Sequence, residues 1–171
     1  MSELVAPPES ADWNLADATY LTMMVPHHRQ ALDLADLAET RAADPRVRAI
    51  ARAIDAGQSR EIVVMATWLV DHGQPEPTLE DVEAMTAMAG SPGGMVGMLS
   101  PAQMADLAEA DGEAFDRLFL QGMIAHHRGA LLMAEEVLTT GEDIRVSEMA
   151  TEVVAGQSGE IRRMEDLLGA P

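Results

Sequence analysis

Four of the chain's five histidines fall in two copies of one tripeptide, His27-His28-Arg29 and His126-His127-Arg128, placed 99 positions apart. Neutral imidazole is a ligand for copper, zinc and iron and a proton carrier near neutral pH. The sequence contains no cysteine, which excludes thiolate metal sites, cysteine nucleophiles and disulfides. Nitrogen, carboxylate and thioether groups are the donors that remain.

The surroundings of the two copies repeat as well. At the same offset, without a gap, Asp17 falls on Asp116, Tyr20 on Phe119, Met24 on Met123, Ala31 on Ala130, and Arg46-Val47 on Arg145-Val146. The stretch AGQSREIVVM (56–65) falls on AGQSGEIRRM (155–164), which brings Gln58, Glu61 and Met65 into line with Gln157, Glu160 and Met164. Two alanine-rich helices would not agree so far by chance, and the pattern indicates one structural unit used twice.

The elements that must position these residues are helical. Tyr20, Met24, His27, Ala31 and Leu34 recur at helical spacing and predict a helix over about 14–40. Pro26 removes a backbone donor and biases Val25 away from the helical region, so a kink or local loosening is expected just before the first histidine pair. Asp44-Pro45 supplies an N-cap and a proline at the first helical position, opening a second helix that ends near His72-Gly73. The linker, 73–112, holds a short helix opened by Thr78, the glycine-rich stretch GSPGGMVGMLS, and another short helix opened by the capping box Ser100-Pro101-Ala102-Gln103. Helices over about 113–138 and 143–168 complete the second unit. Two amphipathic hairpins, repeat 1 at about 14–72 and repeat 2 at about 113–168, cannot bury their apolar faces alone. They predict an all-α fold, with one four-helix bundle domain over 13–171 behind a disordered lead, 1–12.

Both histidine pairs lie near the midpoints of long helices, so the four imidazoles are expected at mid-height in the bundle. Antiparallel pairing within each hairpin sets His27 and His28 opposite Gln58, Ser59 and Glu61, and His126 and His127 opposite Gln157, Ser158 and Glu160. Asp17 and Asp116 stand about 15 Å before the histidines along a helix rising about 1.5 Å per residue. They could share a site only with the other hairpin. Imidazoles and carboxylates converging in a low-dielectric core are costly unless something coordinates or hydrogen-bonds them. Three functions fit such a centre. One is a metal-binding protein with Glu61 and Glu160 as ligands or as acceptors that fix the rings. Another is a metal-dependent redox enzyme, in which Asp17, Glu61, Asp116 and Glu160 join the four histidines. The third is a structural or interaction module whose polar centre only specifies packing. The Glu-x-x-His motif of di-iron carboxylate bundles is absent. Met85, Met88, Met95, Met98 and Met104, on or beside the glycine-rich stretch, suit either packing over the bundle ends or capture of Cu(I) or Ag(I).

Composition narrows the partners. A formal charge of −18 repels nucleic acid and anionic lipid and favours cations. Aromatic residues are scarce, so the thirteen methionines, with alanine and leucine, must supply packing volume. No apolar run approaches the roughly 18–20 residues of a membrane span, so no direct membrane insertion is expected. Met1–Ser10 lacks the basic start and apolar core of a signal peptide, which keeps a cytoplasmic setting as the alternative to an extracytoplasmic one, and its prolines equally suit a linker left behind a trimmed signal or anchor. Oligomeric state is open, a homo-oligomer included.

The pattern Asp-x-x-Tyr/Phe-Leu-x-x-Met-x-x-His-His-x-x-Ala, followed by Gln-x-x-Glu-Ile-x-x-Met, resembles the domain-of-unknown-function family 305. The resemblance runs from about Asp17 to Leu168 and includes GMLSPAQM of the linker. It implies a ferritin-like four-helix fold, export or membrane anchoring in bacteria, and, in some members, copper binding and resistance through His and Met. Carried onto this sequence, it points to His27, His28, His126 and His127, with Asp17, Met24, Asp116, Met123 and Met133 as further matches. Copper is the metal it implies; zinc and iron are the alternatives. Leu34 stands where the second copy has Met133, and Gly122 where a second Met is common, so the thioether supply is thinner than in Met-rich members.

Overall fold

The computed structural model describes residues 3–91 and 94–169. Among them are six helices: α1 (Leu15–Arg41), α2 (Pro45–Asp71), α3 (Leu79–Met88), α4 (Pro101–Glu109), α5 (Gly112–Thr140) and α6 (Ile144–Gly169). No strand occurs among the described residues, only an isolated bridge between Ala42 and Gly112.

The helix starts are written locally. Asn14 accepts from the amides of Ala16 and Asp17, and Asp17 accepts from the amide of Asn14, closing a capping box. Asp44 accepts from the Arg46 amide, with Pro45 at the position where a helix has no N–H bond to lose. Thr78 and Ser100 form the capping boxes of α3 and α4 with Asp81 and Gln103. Pro26 does not interrupt α1, which runs unbroken through it. The residue is buried, and α1 packs along both α2 and α5, so tertiary contacts on two sides hold the helix where one local bond is missing.

Hairpins α1–α2 and α5–α6 join through α1 against α5, with a lighter contact of α2 on α6. Two apolar clusters result, and each draws on both hairpins. One gathers Leu34, Val47 and Ile54 with Phe115, Phe119, Met123 and Met164. The other gathers Tyr20, Leu21, Met24 and Met65 with Ala130, Val137, Val146 and Val153. Neither hairpin therefore owns a core. On each long helix the residues between the clusters are the polar ones: His27 and His28, Gln58 and Glu61, His126 and His127, Gln157 and Glu160. The bundle is two oily halves with a polar layer between them.

The linker does not simply span the ends. The side-chain amide of Gln30 donates to the Leu99 carbonyl and to the Thr86 hydroxyl, and its carbonyl accepts from the Leu99 amide. At the 99-residue offset Gln30 corresponds to Gly129, where a Cβ would overlap the Val96 carbonyl and crowd Gly97. The chain at 96–99 thus threads past α1 and α5 next to the histidines. The two hairpins differ where the linker touches them. Residues 3–12, expected as a disordered lead, form no helix but make contacts: Val5 exchanges two hydrogen bonds with the Gln74 side chain.

Candidate metal centre

Helical register brings the histidines inward. All four imidazoles are fully buried. His28 Nε2 lies 2.7 Å from Glu61 Oε2, and His127 Nε2 lies 2.7 Å from Glu160 Oε2, so antiparallel pairing delivers the same contact in both hairpins. Between the pairs, His27 and His126 meet across the α1–α5 interface as tilted rings, with centroids 3.7 Å apart and planes inclined by 36°. His28 and His127 flank them at 6.5 and 6.3 Å from their sequence neighbours.

Beyond these two His–Glu contacts, the layer is poor in hydrogen bonds. Both ring nitrogens of His27 and of His126 are buried without a partner, as are Nδ1 of His28 and Nδ1 of His127. The side-chain amides of Gln58 and Gln157, only 3% exposed, are likewise unpartnered at both ends. Burial lowers the His27 pKa to about 3, with the charges of His28 and His127 adding to the shift and the nearby Val96 carbonyl opposing it. His126 is lowered well below its ordinary value by burial first, then by its three imidazole neighbours, with the nearby His27 carbonyl opposing the shift. The central rings are therefore neutral at pH 7, each with one nitrogen lone pair free. Tyr20, whose hydroxyl is also buried and unpartnered, is pushed upward by burial and by the charge of Glu61.

The other candidate residues sit elsewhere. Asp17 and Asp116 are not beside the imidazoles. Asp17 accepts from the amides of Glu142 and Asp143 in the α5–α6 turn, and Asp116 accepts from those of Ala43 and Asp44 in the α1–α2 turn. Each carboxylate clamps the other hairpin's turn, and Gly141 leaves the room that Asp17 fills. The reciprocal amides at the two turns were the part of this that sequence spacing did not reveal. Met24 and Met123 are fully buried one helical turn before the histidines, in opposite apolar clusters. Met133 lines a surface groove with Met23 and Glu136. Of the linker methionines, Met98 is buried and Met88 is 52% exposed. Among the described residues, no three His, Asp or Glu side chains are arranged to hold one ion together.

Residues 17–168 match the family described as domain of unknown function (DUF305). The chain belongs to that family. A DUF305 protein of Streptomyces coelicolor has a similar structure, with a TM-score of 0.77, 33% identity, and 90% of this chain and 91% of that one covered. CopM in its Cu(I)-bound form is similar at TM-score 0.70 and 32% identity over 88% of this chain and 94% of that chain, and CopM matches in Cu(II)-bound and silver-bound forms as well. An uncharacterised protein of Acanthamoeba polyphaga mimivirus is 34% identical over 53 residues, 31% of this chain; the match spans 35% of that protein. These two solved structures therefore share this fold along most of their length.

Proposed function

We propose that the protein binds copper at its histidine layer, with His27 and His126 as central nitrogen donors and His28 and His127 joining them through Nδ1. One observation carries the reading: both ring nitrogens of His27 and His126 are fully buried and make no hydrogen bond of normal geometry, although the backbone carbonyls of Val96 and His27 lie near them. Each buried polar group left unsatisfied costs about 1–3 kcal/mol. A metal ion uses those lone pairs, and the neutral form that burial imposes is the form a metal requires. Glu61 and Glu160 orient rather than ligate. Each accepts from Nε2–H of its histidine, which leaves the lone pair on Nδ1, as in carboxylate–imidazole–metal triads. The closely apposed, tilted rings of His27 and His126 do not point their nitrogens at a common centre, so loading turns them until those nitrogens meet the ion.

Met24 and Met123 stand within a helical turn as soft donors, whereas Asp17 and Asp116 are committed to the turns. Imidazole with thioether favours Cu(I) over zinc or iron, and the copper- and silver-bound forms of CopM support that preference. The Streptomyces relative, inferred to be secreted, supports an extracytoplasmic setting.

The test is the metal content of untagged protein after incubation with Cu(I), Cu(II), Zn(II) or Fe(II) and desalting, read by elemental mass spectrometry. The unsubstituted protein retains copper stoichiometrically. The His27→Leu/His126→Leu variant retains none, yet folds with unchanged or higher stability, by about 1–3 kcal/mol, because two imidazoles with unsatisfied ring nitrogens are gone. Copper retained by a folded variant sinks the reading.

A further inference from the structure

The two His–Glu pairs repeat at the offset of 99, but the α2–α6 surface around them does not. Beside Glu61 lies a cavity of about 240 Å³ bordered by Glu61, Met65 and Arg60 of α2 and by Met149 and Glu152 of α6. At the offset, Met149 and Glu152 correspond to Ile50 and Ala53, so Glu160 has no such neighbours. Arg163 approaches Glu160 instead, at 3.9 Å. Glu61 is also the more open carboxylate, 29% exposed against 16% for Glu160.

Met149 and Glu152 are shared with a second cleft of about 600 Å³ on the same face, whose walls carry Asp12, Asp71 and Glu148 against Arg145. Carboxylates outnumber the guanidinium groups along this path even with Arg60 at its inner end. Directly behind Glu61, 2.7 Å away, is the fully buried His28, whose Nδ1 has no partner. The cavity therefore combines what attracts a cation, what selects a soft one, and, through Glu61 alone, a link to a buried imidazole.

We propose that the Glu61–Glu152–Met149 cavity is an antechamber for a soft monovalent cation, Cu(I) or Ag(I), which reaches the histidine layer by way of Glu61 and His28. Carboxylates raise the local cation concentration. The thioethers of Met149 and Met65 favour soft ions over the hard cations that any acidic surface attracts. Loading is thus one-sided although the centre is nearly two-fold. The inference rests on the copper reading above.

The experiment follows transfer of Cu(I) from a chromogenic chelator to the full chain, recording rate and final stoichiometry separately. Met149→Leu/Glu152→Gln, changed at a half-buried and an exposed position, slows transfer about tenfold with the same final stoichiometry and helical spectrum. Ile50→Met/Ala53→Glu, which builds the missing neighbours beside Glu160, accelerates it. An unchanged rate in Met149→Leu/Glu152→Gln overturns the antechamber and leaves the histidine centre standing. Lost stoichiometry in that variant makes the surface the ion's final seat and overturns the relay. No transfer to the unsubstituted protein removes the copper reading itself and the antechamber with it.

Discussion

His27 and His126 owe their depressed pKa values first to burial and only then to neighbouring imidazoles. The fold therefore keeps them neutral whether or not a metal is present. The unfolded chain titrates its histidines near 6.5 whereas folded His27 titrates near 3, so in that interval the unfolded state binds more protons. The contribution to stability is complete above about pH 6.5 and is lost as pH falls through the interval towards about 3. Thermal melts of metal-free protein from about pH 7.5 to about pH 4.5 should show falling Tm, with each such histidine contributing up to about 1.4 kcal/mol per pH unit. Carboxylates titrate in part of the same range, so the difference from His27→Leu/His126→Leu isolates the imidazoles. Parallel pH profiles for the two proteins would rule out this account.

Among the elements, the linker depends most on one small residue. Gly129 lies in the interior of α5 with an ordinary helical backbone, and its lack of a side chain lets the Val96 carbonyl and Gly97 approach. Gly129→Ala should expel that segment at a cost of about 1–3 kcal/mol, the usual penalty for overpacking. Urea denaturation would show the loss, and limited proteolysis would show faster cleavage near residue 96. Gly156→Ala is the control, because nothing lies within 4 Å of a Cβ there. That change should be neutral or stabilising by about 0.4–1 kcal/mol. Equal destabilisation by the two substitutions would show that helix composition, not linker contact, sets the requirement at 129.

The whole molecule carries a formal charge of −18 on 171 residues, and that repulsion works against the compact state while drawing cations towards it. Raising salt from about 0.01 M to about 0.5 M shortens the screening length from about 30 Å to below 10 Å. Tm of the metal-free protein should rise, by about 2–4 °C for each kcal/mol of repulsion relieved in a domain of this size. Differential scanning calorimetry in a salt that does not bind the protein reads this directly, and a Tm that falls with salt would mean that ion pairs outweigh the repulsion.

Much of this was legible in the sequence because it is periodic or local. Helical spacing gave the four long helices, Asp44-Pro45, Thr78 and Ser100 marked their own starts, and antiparallel register put Glu61 opposite His28 and Glu160 opposite His127. Pro26 stays within one continuous α1, because packing on both sides of the helix outweighs one missing backbone bond. The roles of Asp17 and Asp116 were also beyond local reasoning. A carboxylate's partners are whatever donors the opposite hairpin presents, and these lie 125 and 126 positions away for Asp17. Tertiary structure alone decided that the His27 and His126 rings meet face to face across the α1–α5 interface, that Gln30 and Gly129 grip the linker, and that Met149 and Glu152 border a cavity beside Glu61. Periodicity fixes which face of a helix is buried; what that face meets depends on the rotation and stagger of helices distant in the chain, which no local pattern encodes.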